Sequence, residues 1–131
     1  TSTKNNVMKL RINNQSIRLR LSVKDIENLR ANHSVSVPLF WGLEEDDLLV
    51  YKLSLMEEGI SQVKIKQEEI NVMILKSEIN EWLQKDEIVS FECSFPTLSN
   101  PLTVLIERDF KCLTPRNENE AHLFENPNGK C

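Results

Sequence analysis

Residues 9–21 read KLRINNQSIRLRL, and residues 62–74 read QVKIKQEEINVMI. In the first stretch Leu10 and Ile12, then Ile17, Leu19 and Leu21, alternate with polar residues across an Asn13-Asn14-Gln15-Ser16 break. In the second, Val63 and Ile65, then Ile70, Val72 and Ile74, do the same around Gln67-Glu68. Successive side chains of a strand point to opposite faces, so a period of two on both sides of a polar break predicts a β-hairpin with one buried face.

Each hairpin leads into a short helical pattern. Ser22, with Asp25 three residues on, has the form of a capping box, and Val23, Ile26 and Leu29 supply an apolar stripe for a helix over about 23–32. In the second half Ser77 is the expected cap of a helix carrying Ile79, Trp82 and Leu83. Two further strands follow each helix. They are SVSVPLF (34–40) and, past the acidic Glu44-Glu45-Asp46-Asp47, LLVYKLSLM (48–56) with Leu49, Tyr51, Leu53 and Leu55 on one face. Their counterparts are IVSFECSF (88–95), with Val89, Phe91, Cys93 and Phe95 on one face, and LTVLIERDF (102–110), with Leu102, Val104 and Ile106.

A shift of 53 positions lays Leu10 on Val63, Ile17 on Ile70, Ile26 on Ile79, Leu29 on Trp82, and Leu53 on Ile106 without a gap. The third strand falls out of register and calls for a compensated slip of one residue. Residues 48–56 and 102–106 are apolar on both faces, which predicts central strands. The expected fold is α+β: eight mostly antiparallel strands and two helices, in two pseudo-symmetric ββαββ units that form a strongly curved sheet or a barrel. The expected organisation is a flexible N-terminus at 1–7, a single domain at 8–110 with units 9–56 and 62–109, and an irregular C-terminal tail at 111–131 packing on the domain.

A chain of 131 residues has room for one core. Its 40% hydrophobic and 27% charged residues are those of a folding chain rather than a disordered one. The net charge of -4 argues against general attraction to nucleic acid or anionic membrane. No stretch is long and apolar enough to span a bilayer, and TSTKNNVMKL lacks the apolar region of a secretory signal, so a soluble cytoplasmic protein is expected. Three cysteines, Cys93, Cys112 and Cys131, are an odd count and predict free thiols.

The residues with functional potential are cationic. Lys9, Arg11, Arg18 and Arg20 all point away from the apolar face of the first hairpin, a grouping suited to a phosphate or carboxylate held by forked guanidinium contacts. The alternative is a solvated face neutralised by local carboxylates such as Glu27 or the acidic turn at 44–47. The second half has Lys64, Asn71 and Met73 at equivalent places, so an anion site would be asymmetric.

Cys112, His122 and Cys131 are zinc-type ligands without the spacing of a zinc finger or ribbon. Cys93 reads as a small core residue, Trp82 as core and Trp41 as a partly exposed edge. Neither His33 nor His122 is placed in sequence to activate a thiol, and no catalytic constellation is seen. With Gly42, Gly59 and Gly129 as its glycines, the chain has no phosphate-cradling Gly-rich loop.

The opening MKLRINNQSIRLRLS and the run from Glu107 through Asp109, Phe110, Cys112, Leu113, Pro115, Arg116, Glu118 and Glu120 to Phe124, Asn126 and Pro127 resemble a family of short bacterial proteins known only as a domain of unknown function. The resemblance covers most of residues 8–131. It implies an independent bacterial protein and carries no activity. The favoured reading is a non-catalytic accessory module that binds a small anionic ligand or a protein partner, with Lys9, Arg11, Arg18, Arg20 and Arg116 as contacts. Neither membrane nor nucleic acid is an expected partner, and no cofactor is indicated. The alternatives are a metal-dependent phosphohydrolase like the triphosphate tunnel enzymes, on architecture alone, and a metal-binding tail.

Overall fold

A computed structural model of the chain describes residues 7–110. Among them are eight strands, β1 (Lys9–Asn13), β2 (Ser16–Leu21), β3 (Ser34–Phe40), β4 (Leu48–Met56), β5 (Gln62–Lys66), β6 (Glu69–Leu75), β7 (Ser90–Phe95) and β8 (Leu102–Arg108). Two helices, α1 (Val23–Asn32) and α2 (Lys76–Gln84), follow β2 and β6.

The strands form two four-stranded mixed sheets, ordered β1-β2-β8-β7 and β3-β4-β6-β5. Neither closes, so the expected barrel, and a single curved sheet, are replaced by two open sheets. The reason is the route of the chain. After β2, α1 carries it into the other sheet, and after β6, α2 carries it back, so each sheet takes one hairpin from either half. β2 and β8 pair in parallel, as do β4 and β6, and these are the central strands, as the two-sided apolarity of residues 48–56 and 102–106 predicts.

The central pairings correspond under the 53-residue shift: Ile17 faces Val104 in one sheet, and Tyr51 faces Ile70 in the other. The third strand departs by three residues rather than one. Val37 faces Tyr51, whereas Cys93 faces Val104. An odd offset of either size exchanges the two faces of a strand, which is why alternation alone reveals the parity of the slip and not its length.

Both sheets and both helices share one core. Ile17, Leu19 and Leu21 of β2, Leu53 of β4, Val72 and Ile74 of β6, and Val104 and Ile106 of β8 are buried in it with Ile26, Leu29, Ile79, Trp82 and Leu83 of the helices. Burial of side chains this size stabilises the fold by about 1.5–3 kcal/mol each. Met8, just before β1, is fully buried, and the Tyr51 hydroxyl donates to its carbonyl at 2.7 Å.

The helix starts differ. α1 has the expected capping box: Ser22 Oγ accepts from the Asp25 N–H at 3.2 Å, and the Asp25 carboxylate accepts from the Ser22 N–H at 2.9 Å. α2 begins at Lys76, and Ser77 does not cap it, because Ser77 already lies inside the first turn. The cap residue is Leu75, which has no side-chain acceptor. Ser61 supplies one from the chain ahead of β5, accepting from the Leu75 N–H at 2.8 Å and donating to the Glu78 carboxylate.

Candidate functional site

The pairings order the outer face of the β1-β2-β8-β7 sheet into rows. On β2 the buried Ile17, Leu19 and Leu21 leave Arg18 and Arg20 facing away from the core. Antiparallel pairing sets Lys9 opposite Arg20 and Arg11 opposite Arg18. Parallel pairing sets Glu107 of β8 beside Arg20, and Leu105 beside Arg18. On β7, Ser90 lies beside Glu107, and Glu92 beside Leu105. The upper row is therefore Lys9, Arg20, Glu107, Ser90, and the next is Arg11, Arg18, Leu105, Glu92.

The carboxylates that meet these cations come from the end of β8. Arg20 Nε donates to Glu107 Oε1 at 2.9 Å, and Arg18 Nε approaches the same oxygen at 3.5 Å. Lys9 Nζ pairs with Asp109 at 2.9 Å. Neither Glu27 nor the acidic turn at 44–47 takes part in these contacts. Arg11, exposed on the edge strand, has no ion pair among the described residues. Its cross-strand neighbour is another arginine, an arrangement that repels.

The equivalent face of the other sheet carries lysines but no arginine. Its rows are Gln62, Met73, Ser54, Ser34 and Lys64, Asn71, Lys52, Ser36, with Ser54 Oγ hydrogen-bonded to Asn71 Oδ1 at 3.0 Å. The concentration of cationic forks belongs to the first hairpin alone.

The other candidates fall out as follows. Trp82 is buried and its Nε1 donates to the Val89 carbonyl at 3.2 Å, while Trp41 is exposed beyond the end of β3. Cys93 is half-buried against the core. Burial first, then the nearby Glu78 and Glu92 carboxylates, push its thiol pKa up to about 11, the opposite of what a nucleophile needs. His33 ends α1 in a left-handed conformation. No group of three or more His, Cys, Asp or Glu among the described residues is arranged to hold a metal. Arg116 and the Cys112, His122 and Cys131 trio lie outside the described residues. No helix among those described is long and apolar enough to cross a membrane.

Sequence reasoning missed two features. Glu107 and Asp109 were legible as part of a motif but not as the counter-charges of the first hairpin. Arg108, between them, was not singled out, yet it is buried on the inner face with Val104 and Ile106, and its parity in the strand was the available signal.

The fold and this face define a small α+β domain of two mixed sheets, one of which gathers arginines on its outer face. The chain belongs to a family of unknown function, DUF7009, whose model matches residues 8–128. No curated protein matches it.

Proposed function

We propose that the protein is a non-catalytic binding module whose β1-β2-β8-β7 sheet recognises an anionic group, with Arg11 and Arg18 as the principal contacts and Lys9 and Arg20 flanking them. The observation that carries this reading is the Arg11–Arg18 cross-strand pair. Two like charges directly opposite cost stability, and Glu107 relieves only Arg18, at 3.5 Å, while it is engaged by Arg20 at 2.9 Å. A phosphate or carboxylate bridging the two guanidinium forks removes the repulsion and adds charge-assisted hydrogen bonds. Arg116 belongs to the same proposal as a further contact from the tail.

The tunnel-enzyme alternative rested on a closed barrel. With neither sheet closed, it loses the enclosure that holds a polyphosphate between acids and cations.

The two halves are read here as a duplicated ββαββ unit. What supports this is the common 53-residue offset of the hairpins, helices and central pairings. On that reading the basic face is a difference between the copies, since the second carries Gln62, Lys64, Asn71 and Met73 where the first carries Lys9, Arg11, Arg18 and Arg20. A bacterial, cytoplasmic setting belongs to the same proposal, supported by the sequence resemblance and by the unpaired Cys93.

The test is thermal unfolding of the full chain with inorganic phosphate, pyrophosphate, nucleotides and dicarboxylates. At least one is expected to raise Tm in a way that fades with added salt, and the Arg11→Ala/Arg18→Ala double variant is expected to lose the rise. No stabilisation by any anion, or stabilisation that survives the double substitution, overturns the assignment.

A further inference from the structure

Among the described residues, two open sheets leave four edges, β1 and β7 in one and β3 and β5 in the other. An open edge offers unpaired N–H and C=O groups to any passing strand, and charged side chains along it discourage such pairing. β1 carries Lys9 and Arg11, β5 carries Lys64 and Lys66, and β7 carries Glu92. β3, Ser-Val-Ser-Val-Pro-Leu-Phe, carries no charge at all.

The same edge borders a groove of about 470 Å³, with residues 34–37 of β3 on one side, Lys24, Asn28 and Asn32 of α1 on the other, and Val7 also against it. The hydrogen bonds that frame the β3–β4 ladder fix which backbone groups face it. The Leu55 N–H donates to the His33 carbonyl at 2.8 Å, and the Trp41 N–H to the Asp47 carbonyl at 3.0 Å. In an antiparallel pair, bonded and non-bonded positions alternate. The odd-numbered residues of β3 therefore bond to β4, and the N–H and C=O groups of Ser34 and Ser36 point outward. Pro38 occupies the next outward position, where its missing N–H breaks no ladder bond and ends the usable edge.

The opposite wall matches this length. Lys24, Asn28 and Asn32 recur every four residues, one stripe of α1 about 12 Å long, which accommodates three or four residues of extended chain at about 3.3 Å each. The groove is also nearly neutral. The Asp25 carboxylate at its floor is engaged by the Ser22 N–H and hydroxyl at 2.9 and 3.0 Å, which leaves Lys24 as the other charge. The two Asn amides offer donors and acceptors to backbone or hydroxyl groups. A second copy would bring its β3 flanked by its own β4 and α1, a far bulkier occupant than a single strand.

We propose that the groove between α1 and β3 is a peptide-binding site that takes an extended, uncharged segment of a partner protein, rich in hydroxyl and β-branched residues, as a fifth strand on the β3-β4-β6-β5 sheet. Ser34 and Ser36 make the main-chain bonds and Asn28 and Asn32 read the far side. The site is separate from the basic face, which lies on the other sheet.

The probe is a set of acetyl- and amide-blocked hexapeptides alternating Thr, Val and Ser, titrated against the full chain by fluorescence anisotropy at low and high salt. Saturable, salt-insensitive binding is expected, at least about tenfold weaker when alternate peptide amides are methylated, and equally weakened by Ser36→Pro. Ser36→Pro removes an outward N–H as Pro38 does, so its thermal transition should stay close to that of the parent. Absence of binding by the neutral peptides, or binding indifferent to Ser36→Pro, overturns the site. Binding that emerges only when residues 1–6 are removed, or a dimer in sedimentation that Ser36→Pro converts to monomer, makes the chain itself the occupant and overturns the partner assignment.

Discussion

The guanidinium carbon of Arg108 lies 4.5 Å from the centre of the Trp82 ring, and the two side chains together close the end of α2. Arg108 Nη2 donates to the Trp82 carbonyl at 2.7 Å and Nη1 to the Ile88 carbonyl at 2.6 Å. Arg30, from α1, donates to the Leu83 carbonyl. The last turn of α2 has no basic residue of its own, so cations from β8 and α1 meet its terminal carbonyls and its negative dipole end.

Replacing Arg108 by Met keeps most of the stem and removes every donor. The buried Trp82 carbonyl and the part-buried Ile88 carbonyl then lose their partners and the ring loses its cation, so the expected cost is about 2–4 kcal/mol in urea unfolding. Asp86, the ionic partner of Arg108 at 3.4 Å, is largely exposed, and Asp86→Asn should cost less than about 1 kcal/mol. Equal costs for the two variants would show that the ion pair, and not the carbonyl bonds, is what matters.

The two helix starts give a second prediction. Ser22→Ala removes the acceptor of the α1 capping box, and Ser61→Ala removes the hydroxyl that links the Leu75 N–H to Glu78. Each should cost about 1 kcal/mol. Ser77→Ala, at the position that sequence alone suggests as the cap, should be close to neutral. A loss on Ser77→Ala as large as that on Ser61→Ala contradicts the relayed cap.

These cases show which features a linear reading reaches. Ser22 and Asp25 are three residues apart, and a hairpin such as 9–21 pairs within itself, so both are written in neighbouring residues. Ser61 acts across fourteen positions, and Glu107 meets Arg20 across eighty-seven. Alternating polarity tells a strand which face to bury but not which strand lies beside it. That is why four cations on one face could be foreseen and their counter-charges could not. It is also why eight strands of the right polarity were compatible with a barrel, when the helices in fact divide them between two sheets.

Glu107 sets a third expectation. Its carboxylate neutralises part of the face on which an incoming anion must bind, and its side chain is only 16% exposed. Glu107→Gln frees Arg18 and Arg20, so phosphate binding should tighten by about threefold or more and show a steeper salt dependence. Unfolding free energy should fall by about 1 kcal/mol as the pairs to Arg18 and Arg20 are lost. Weaker anion binding in this variant would mean that Glu107 holds the arginines in their binding geometry rather than competing with the ligand.

Alkaline pH gives the last prediction. Burial, with the charges of Glu78 and Glu92, raises the Cys93 thiol to about 11, and burial followed by the Asp25 charge raises the Tyr51 hydroxyl above its usual value. Both groups are therefore held neutral by the fold. In the unfolded chain the thiol ionises near pH 9, while in the native state it does not until about pH 11, so the protective contribution is complete below pH 9 and drains away between those values. Tyr51 extends the same decline to higher pH. Urea midpoints measured from pH 7 to 11 should be flat at first and then fall, and Cys93→Ala should flatten the earlier part of the fall. With Cys112 and Cys131 replaced by Ser, Cys93 should react with a disulfide reagent at pH 7.5 far more slowly in the native protein than in urea. Rapid modification of the folded chain at neutral pH would place this thiol in water and remove the basis of the alkaline decline.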